Sequence, residues 1–223
     1  ANWQRIDERA RGVPQGAWVP MISPSPHDAS VAFVVFDDHR RGNMNTFVYR
    51  VSDYGRRWES LGKSNLSGYA LSVLQDPVDP QLLFLGTEFG LFISNDGGDS
   101  WSKFTNGVPT VSVMDMAIQE REHDLVLGTH GRSIYVIDDY RALRRMPADT
   151  FSSRLKILSA SEGQQYDDDM TRSTRFTGAG EFRGGNEPYG VMLTFAASGD
   201  DLTHPDEDID RERRIRRRRE DCR

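Results

Sequence analysis

Cysteine is almost missing from this sequence: Cys222, the penultimate residue, is the one cysteine among 223. No disulfide can form within the chain, and no zinc site can be built on cysteine. Long apolar runs are missing too. No stretch approaches the about 18 consecutive apolar residues that mark a membrane-spanning helix. Positive charge is in deficit, with 28 Lys and Arg against 34 Asp and Glu and a net charge of −6. The chain as a whole therefore has no general attraction for nucleic acid or for an anionic membrane surface. The opening residues, ANWQRIDERARG, lack the charged-then-apolar layout of a secretory signal. There is no Gly-rich phosphate loop, no His-x-x-x-His pair and no Gly-x-Ser-x-Gly nucleophile elbow. No motif calls for a cofactor or a metal, and none is expected. Nothing in the first 140 residues repeats apolar side chains at helical spacing.

What is present is enough for a core, with 37% apolar residues, eleven Phe and four Trp. The length suits one large domain or one and a half ordinary ones. Aligning the chain on its tryptophans exposes a repeat. Trp58 and Trp101 lie 43 residues apart, and both close the pattern Asp-x-Gly-x-x-Trp-x-x-apolar. Trp3 is followed by the same Trp-x-x-apolar run, 55 residues before Trp58. The Asp and Gly of that copy would precede residue 1, so the sequence is expected to begin inside a repeat and to be a piece of a longer chain.

A second alignment supports the period. Residues 79–94 (DPQLLFLGTEFGLFIS) match residues 121–138 (REHDLVLGTHGRSIYVID), and Gly86 and Gly128 are 42 apart. The equivalent part of the preceding copy, 30–52, carries a longer polar insertion, which accounts for its wider spacing. Each copy reads as short strands rich in Val, Ile, Leu, Phe and Tyr, bounded by Gly, Pro, Asp and Asn. These are AWVPMIS, VAFVVF and TFVYRV, then YALSVLQ, LLFLGT and GLFIS, then VSVMDMAIQ, DLVLGT and SIYVID. A fourth strand is expected to begin at each Trp. Four short strands per repeat of about 40–45 residues is the signature of a β-propeller blade. The fold expected is all-β: four-stranded antiparallel propeller blades in an incomplete ring, then an irregular connector and the start of a β-sandwich-like region.

The boundaries expected are 1–147 for about three blades plus a partial one, 148–198 for the connector and first strands of a β region, and 199–223 for a charged tail. Residues 154–160 (RLKILSA) read as a strand that either closes the ring or begins a new domain. Residues 191–195 (VMLTF) read as the first strand of the sandwich. The tail carries nine acids and eight arginines with little apolar material, so it cannot bury a core and reads as disordered or as a solvated helix. Interleaved acids argue against a nucleic-acid patch there. Propellers hide sheet edges by closing a ring. An arc of blades would leave an apolar face open, so the isolated chain is expected to be marginally stable or prone to associate.

The stretch Ser94-x-Asp96-x-Gly98-x-Ser100-Trp101 resembles the Asp-box of sialidases, sortilins and xyloglucanases. A degenerate copy holds Asp53, Gly55 and Trp58, with Val51 and Arg57 at its Ser and Thr/Ser positions. GTEFGLFISNDGGDSW followed by DLVLGTHGRSIYVIDD is similar to the last blades of bacterial propellers termed sortilin-like, or glycosyl hydrolases by analogy. FTGAGEFRGGNEPYGVMLTF resembles the segment that follows those blades. The resemblance covers residues 1–195. It implies that Asp96 and Asp53 accept backbone hydrogen bonds inside a rim turn, away from the central funnel where ligands bind. It implies that the Trp packs between sheets, burying on the order of 150–250 Å². It also implies an extracellular or periplasmic location. A calcium loop is the rival reading of 94–101, but Asp-Gly-Gly-Asp has too few acids at alternating positions.

Catalytic signals are sparse. The sialidase Arg-Ile-Pro motif is absent, since Arg5-Ile6 is followed by Asp7. Other glycosidases need two carboxylates facing across a cleft. Those able to face a funnel here are Asp37, Asp38, Glu88, Asp115 and Asp138; the catalytic residues stay unassigned, with Asp115 and Glu88 as candidates, and a lone acid such as Asp115 on an expected inner strand is more often hydrogen-bonded structure than a catalyst. The GTHGRS run offers the best ligand-binding candidates. Arg132 can bind a carboxylate or sugar hydroxyls, and His130 can titrate near neutral pH. The alternative is that they bridge blades, with Glu88 as an ion-pair partner. Residues 37–41 (DDHRR) mix metal-ligand types but read as a solvated hairpin tip. Asn65-Leu66-Ser67 fits the glycosylation sequon, a triplet common by chance. The function expected is a sortilin-like module that binds peptide or glycan without catalysis in these blades, with the remaining blades of a parent chain as partners. A glycoside hydrolase whose acids span several blades, or a scaffold, are the alternatives.

Overall fold

The structure, a computed structural model, describes residues 4–146, 150–163 and 190–199. Trp3, the polar connector over 164–189 and the charged tail from residue 200 lie outside the described residues. The chain divides into two compact units, Ala1–Ala148 and Asp149–Arg223.

The first unit is a series of antiparallel sheets in which every strand pairs with its neighbour in sequence. Sheet 1 has the order β1 (Trp18–Pro24), β2 (Ala32–Asp38), β3 (Asn43–Ser52) and β4 (Arg57–Ser60). Sheet 2 repeats it with β5 (Ala70–Gln75), β6 (Leu83–Thr87), β7 (Gly90–Ser94) and β8 (Ser102–Phe104). Sheet 3 holds β9 (Val113–Gln119), β10 (Asp124–Thr129) and β11 (Ile134–Ile137). Each four-stranded meander is a propeller blade, and the fourth strand starts at or beside its Trp, as the repeat predicts. In sheet 3 the chain leaves β11 for a 3-10 turn at Tyr140–Arg145.

The strands read as continuous apolar runs because both faces of the first two sheets are covered. Phe33, Val35 and Val48 of sheet 1 meet Val73, Leu83, Leu85 and Phe92 of sheet 2 in one core, with Trp101 between them. On its other face sheet 2 gives Phe84, Leu91 and Ile93 to a second core with Met116, Leu125 and Leu127 of sheet 3. The two side-chain sets alternate along each strand, as the pleat requires. Register fixes this: Val35 lies opposite Val48, and Leu85 opposite Phe92.

The two outermost faces differ. That of sheet 1, with Val34, Phe36, Phe47 and Tyr49, is packed by Ala10, Val13 and Ala17 from the segment before β1. That of sheet 3 is open, and Ile134 and Val136 are 65% and 51% exposed. An open apolar face was expected of an arc, and it is found at the sheet 3 side.

In the second unit, β12 (Leu155–Ala160) pairs antiparallel with β13 (Leu193–Ala197). The strand over 154–160 joins none of the propeller sheets. The strand expected as the first of a sandwich is instead the second of this pair, because Leu193 to Ala197 find their partners in β12.

Candidate functional site

In a meander, successive connections alternate between the two ends of a sheet. The turns after each third strand, β3 to β4 and β7 to β8, therefore lie at one end. The β2–β3, β6–β7 and β10–β11 hairpins and the starts of the first strands lie at the other. The turns at 53–57 and 94–101 occupy the first end.

Residues 94–101 build their own turn. Asp96 Oδ1 accepts from the Ser100 amide at 2.9 Å, and its Oδ2 from the Ser100 hydroxyl at 2.5 Å. The Ser94 hydroxyl donates to Asp96 Oδ1 at 2.7 Å and accepts from the Gly98 amide at 2.8 Å. Burial raises the Asp96 carboxyl, yet the Ser100 and Ser94 donors outweigh it and hold the group below its ordinary value. Gly98 has φ +98°, and a Cβ there would sit 2.9 Å from Leu61 Cδ1, so glycine is required twice over. The Trp101 indole donates to the Leu61 carbonyl at 2.9 Å, tying sheet 2 to the end of sheet 1. Asn65 of the sequon donates its side-chain amide to the Trp101 carbonyl, so that nitrogen is already engaged.

The degenerate copy works differently. Asp53 itself has positive φ, as do Tyr54 and Gly55. Its carboxylate faces Arg56 at 3.5 Å, in solvent. The turn is closed by the backbone, with the Arg56 amide donating to the Asp53 carbonyl at 3.1 Å. With Val51 in place of the Ser, the hydroxyl relay seen at Ser94 has no counterpart, and the expected Asp53 side-chain bonds give way to an exposed ion pair. Trp58 donates to its own Gly55 carbonyl at 3.1 Å and packs on Phe36 and Tyr49 rather than between two blades.

At the opposite end the strand starts and hairpins enclose a cleft of about 1130 Å³. Sheet 1 contributes Trp18, Met21, Asp37, Asp38, His39, Arg40 and Arg41 to its walls. Sheet 2 contributes Tyr69 and Glu88, and sheet 3 contributes Ser112, Met114, Asp115 and His130. Sheets 2 and 3 reach it by the same backbone hook. The Glu88 amide donates to the Tyr69 carbonyl at 3.1 Å, and the His130 amide to the Ser112 carbonyl at 2.9 Å. Glu88 and His130 are thus equivalent positions in successive blades.

The cleft gathers Asp37, Asp38, Glu88, Asp115 and His130 from widely separated parts of the sequence. Arg132 and Asp138 are not among its walls. Arg132 lies within the β10–β11 turn, and no ion pair joins it to Glu88. Asp138 stands past the far end of β11, where burial and then the negative charge of Asp124 raise its carboxyl. Asp115 lies opposite Gly128, next to a bulge in the β9–β10 ladder. Its Oδ1 accepts the Met116 amide at 2.8 Å.

The segment 37–41 is solvated only in part, with Arg40 and Arg41 exposed and the two acids buried. Asp37 and Asp38 are 7% and 8% exposed. Asp37 holds the His39 ring, and Asp38 pairs with the Arg41 guanidinium. Arg41 in turn donates to the Gln15 carbonyl at 2.9 Å. Gly42, with φ +81°, closes the 3-10 turn that stacks these charges together. With His39 and Arg41 engaged by their neighbours, Glu88 and Asp115 stand without an ion-pair partner among the described residues. Burial first, then the charges of Glu88 and Asp37, push the Tyr69 phenol above its ordinary value. Trp18, 71% exposed, adds an apolar platform. Sequence reading passed over Trp18 and Tyr69 as strand residues, although an aromatic at the start of a first strand is a readable signal once the blade is known. Among the described residues no three acidic, His or Cys side chains are arranged to hold a metal ion. No helix among them is long and apolar enough to cross a membrane.

No protein-family model matches the chain, and no curated protein matches it. Among solved structures it is similar to a GH74 enzyme from Niastella koreensis, at 20% identity and TM-score 0.45 over 53% of this chain and 21% of that one. An ancestral GH74 enzyme shares 21% identity at TM-score 0.45, over 58% of this chain and 15% of that one. The GH74 xyloglucanase from Xanthomonas campestris shares 19% identity at TM-score 0.45, over 64% and 25%. The chain spans a quarter or less of the length of these proteins. The blade assignment stands on the sheets and their pairing.

Proposed function

We propose that the cleft is a glycan-binding site on a non-catalytic, sortilin-like propeller module that works outside the cytoplasm. The observation that carries this is the exposed indole of Trp18 in a cleft whose polar lining includes four carboxylates, two imidazoles, two guanidinium groups and a phenol. The C–H-rich face of a sugar ring packs on an indole, and its hydroxyls satisfy fixed polar groups, the usual division of labour in a ligand cleft. A scaffold role would leave these side chains without a task. Electrophoresis through gels containing galactomannan or mixed-linkage β-glucan tests the reading. Retardation that is lost in Trp18→Ala supports it, whereas unaltered migration in both gels refutes it.

One observation favours a second reading, that of a glycoside hydrolase. Glu88 and Asp115 reach the same cleft from different sheets, and neither is neutralised by a cation. In that reading they are the acid pair. Release of reducing ends from either polysaccharide, lost in both Glu88→Gln and Asp115→Asn, would establish it.

A further inference from the structure

Three contacts fix the ring of His39. Nδ1 lies 2.8 Å from Asp37 Oδ1 and 2.7 Å from Oδ2. The ring stacks on Tyr69, with centroids 4.3 Å apart and 16° between planes. The His39 amide also donates to Asp37 Oδ1 at 2.8 Å, so the backbone cannot swing the ring away from its carboxylate. An ionised carboxylate only accepts hydrogen bonds, and a neutral imidazole has one donor and one acceptor nitrogen. In the neutral ring, an acceptor on Nδ1 therefore places the proton there and leaves Nε2 with its lone pair. Nε2 makes no hydrogen bond among the described residues, and the side chain is 33% exposed and lines the cleft.

The walls of the cleft carry more acidic than basic side chains. Asp37, Asp38, Glu88 and Asp115 bring four carboxylates. The cations in the walls are Arg40 and Arg41, and Arg41 is engaged by Asp38. Four carboxylates against two guanidinium groups disfavour an anionic ligand, and an Nε2 with its lone pair accepts from a donor. Neutral sugar hydroxyls donate, while a uronate offers lone pairs and negative charge to a surface that already has both.

We infer that His39, oriented by Asp37 and Tyr69, is a specificity-determining residue that accepts a hydrogen bond from a ligand hydroxyl through Nε2 and selects neutral over acidic glycans. The inference rests on the glycan reading of the cleft. Asp37 and Tyr69 are positioning residues in it. Asp37→Asn is the informative change. The Asn carbonyl can keep the His39 amide, which turns its NH₂ toward Nδ1 and moves the imidazole proton to Nε2. The acceptor then becomes a donor with little change in shape.

The test has two arms. Imidazole nitrogen spectra of histidine-labelled protein, with His39 assigned through His39→Gln, report the tautomer without any ligand. The expected result is Nδ1 protonated and Nε2 bare in the parent, exchanged in Asp37→Asn. A parent ring carrying its proton on Nε2, or on both nitrogens at neutral pH, overturns the proposal. The second arm measures binding by calorimetry to galactomannan, mixed-linkage β-glucan, polygalacturonate and a lysine-rich peptide. The parent is expected to prefer a neutral polysaccharide to polygalacturonate, and Asp37→Asn and His39→Gln to weaken that binding about tenfold, the worth of one good hydrogen bond. Equal binding by parent and His39→Gln removes the role of His39 and leaves the glycan site standing. Absence of polysaccharide binding in the parent, or binding of the peptide alone, removes the glycan reading and this proposal with it.

Discussion

Arg144 lays its guanidinium on the carboxylate of Asp76, 68 residues away in sequence, with Nε 2.9 Å from Oδ2 and Nη2 2.8 Å from Oδ1. Tyr140 donates its hydroxyl to the same group at 2.6 Å, and the Val78 and Asp79 amides donate at 2.9 Å and 2.6 Å. Asp76 has no exposed surface. Five donors on one buried carboxylate fasten the 3-10 turn after the third sheet to the β5–β6 connection of the second.

Removing Arg144 leaves a buried charge short of its main partner. Arg144→Ala should cost about 3–5 kcal/mol of stability, read by chemical denaturation. Burial raises the Asp76 carboxyl, but Arg144, Tyr140 and the two amides outweigh it and hold the group below its ordinary value. A lowered folded value means the stabilisation is complete above the unfolded carboxylate pKa of about 3.9 and is lost as pH falls through the folded value. Asp76→Asn should therefore flatten the acid limb of the stability profile. An unchanged acid limb would show that this site does not set it.

The turns at Asp96 and Asp53 should respond differently. Asp96→Ala removes the acceptor for both Ser100 donors and is expected to cost about 1–2 kcal/mol. Asp53→Ala removes an exposed ion pair and should stay within about 0.5 kcal/mol. Comparable losses in both would mean that the degenerate turn depends on its carboxylate after all.

The open face of sheet 3 should drive association. Ile134→Thr combined with Val136→Thr removes exposed apolar surface without touching the core on the other face. Light scattering should show less self-association at the same concentration, with the unfolding midpoint nearly unchanged. A parent that stays monodisperse at high concentration and melts sharply and reversibly would contradict the expectation of a sticky face.

The blades were legible because a Trp, a turn and a glycine recur at fixed spacing, and because strands covered on both sides become runs of Val, Leu and Phe. Local chemistry carried the full box as well, since Ser94, Asp96 and Ser100 bond to one another within one turn. The cleft was half legible. Glu88, Asp115 and His130 fall at hairpins and first strands that the repeat aligns. Asp37 to Arg41 looked solvated because five polar residues at a hairpin usually are, and Arg40 and Arg41 are exposed; the burial of Asp37 and Asp38, beside a His39 stacked on Tyr69, left no local signal. The Asp76–Arg144 pair left no trace for the same reason. An Asp before Pro77 reads as an ordinary turn, and Arg144 as one of several basic residues after the last strand.

The most direct measurement of the central claim follows the four indole N–H resonances, one for each Trp, while galactomannan and mixed-linkage β-glucan oligosaccharides are titrated in, with Trp18 assigned through Trp18→Phe. Trp18 stands in the cleft, and Trp101 is buried near the opposite ends of the strands. The account predicts that the Trp18 signal shifts saturably with a neutral oligosaccharide while that of Trp101 stays in place. A Trp18 signal that does not move with either sugar, or binding that moves other indoles and leaves Trp18 untouched, would contradict it.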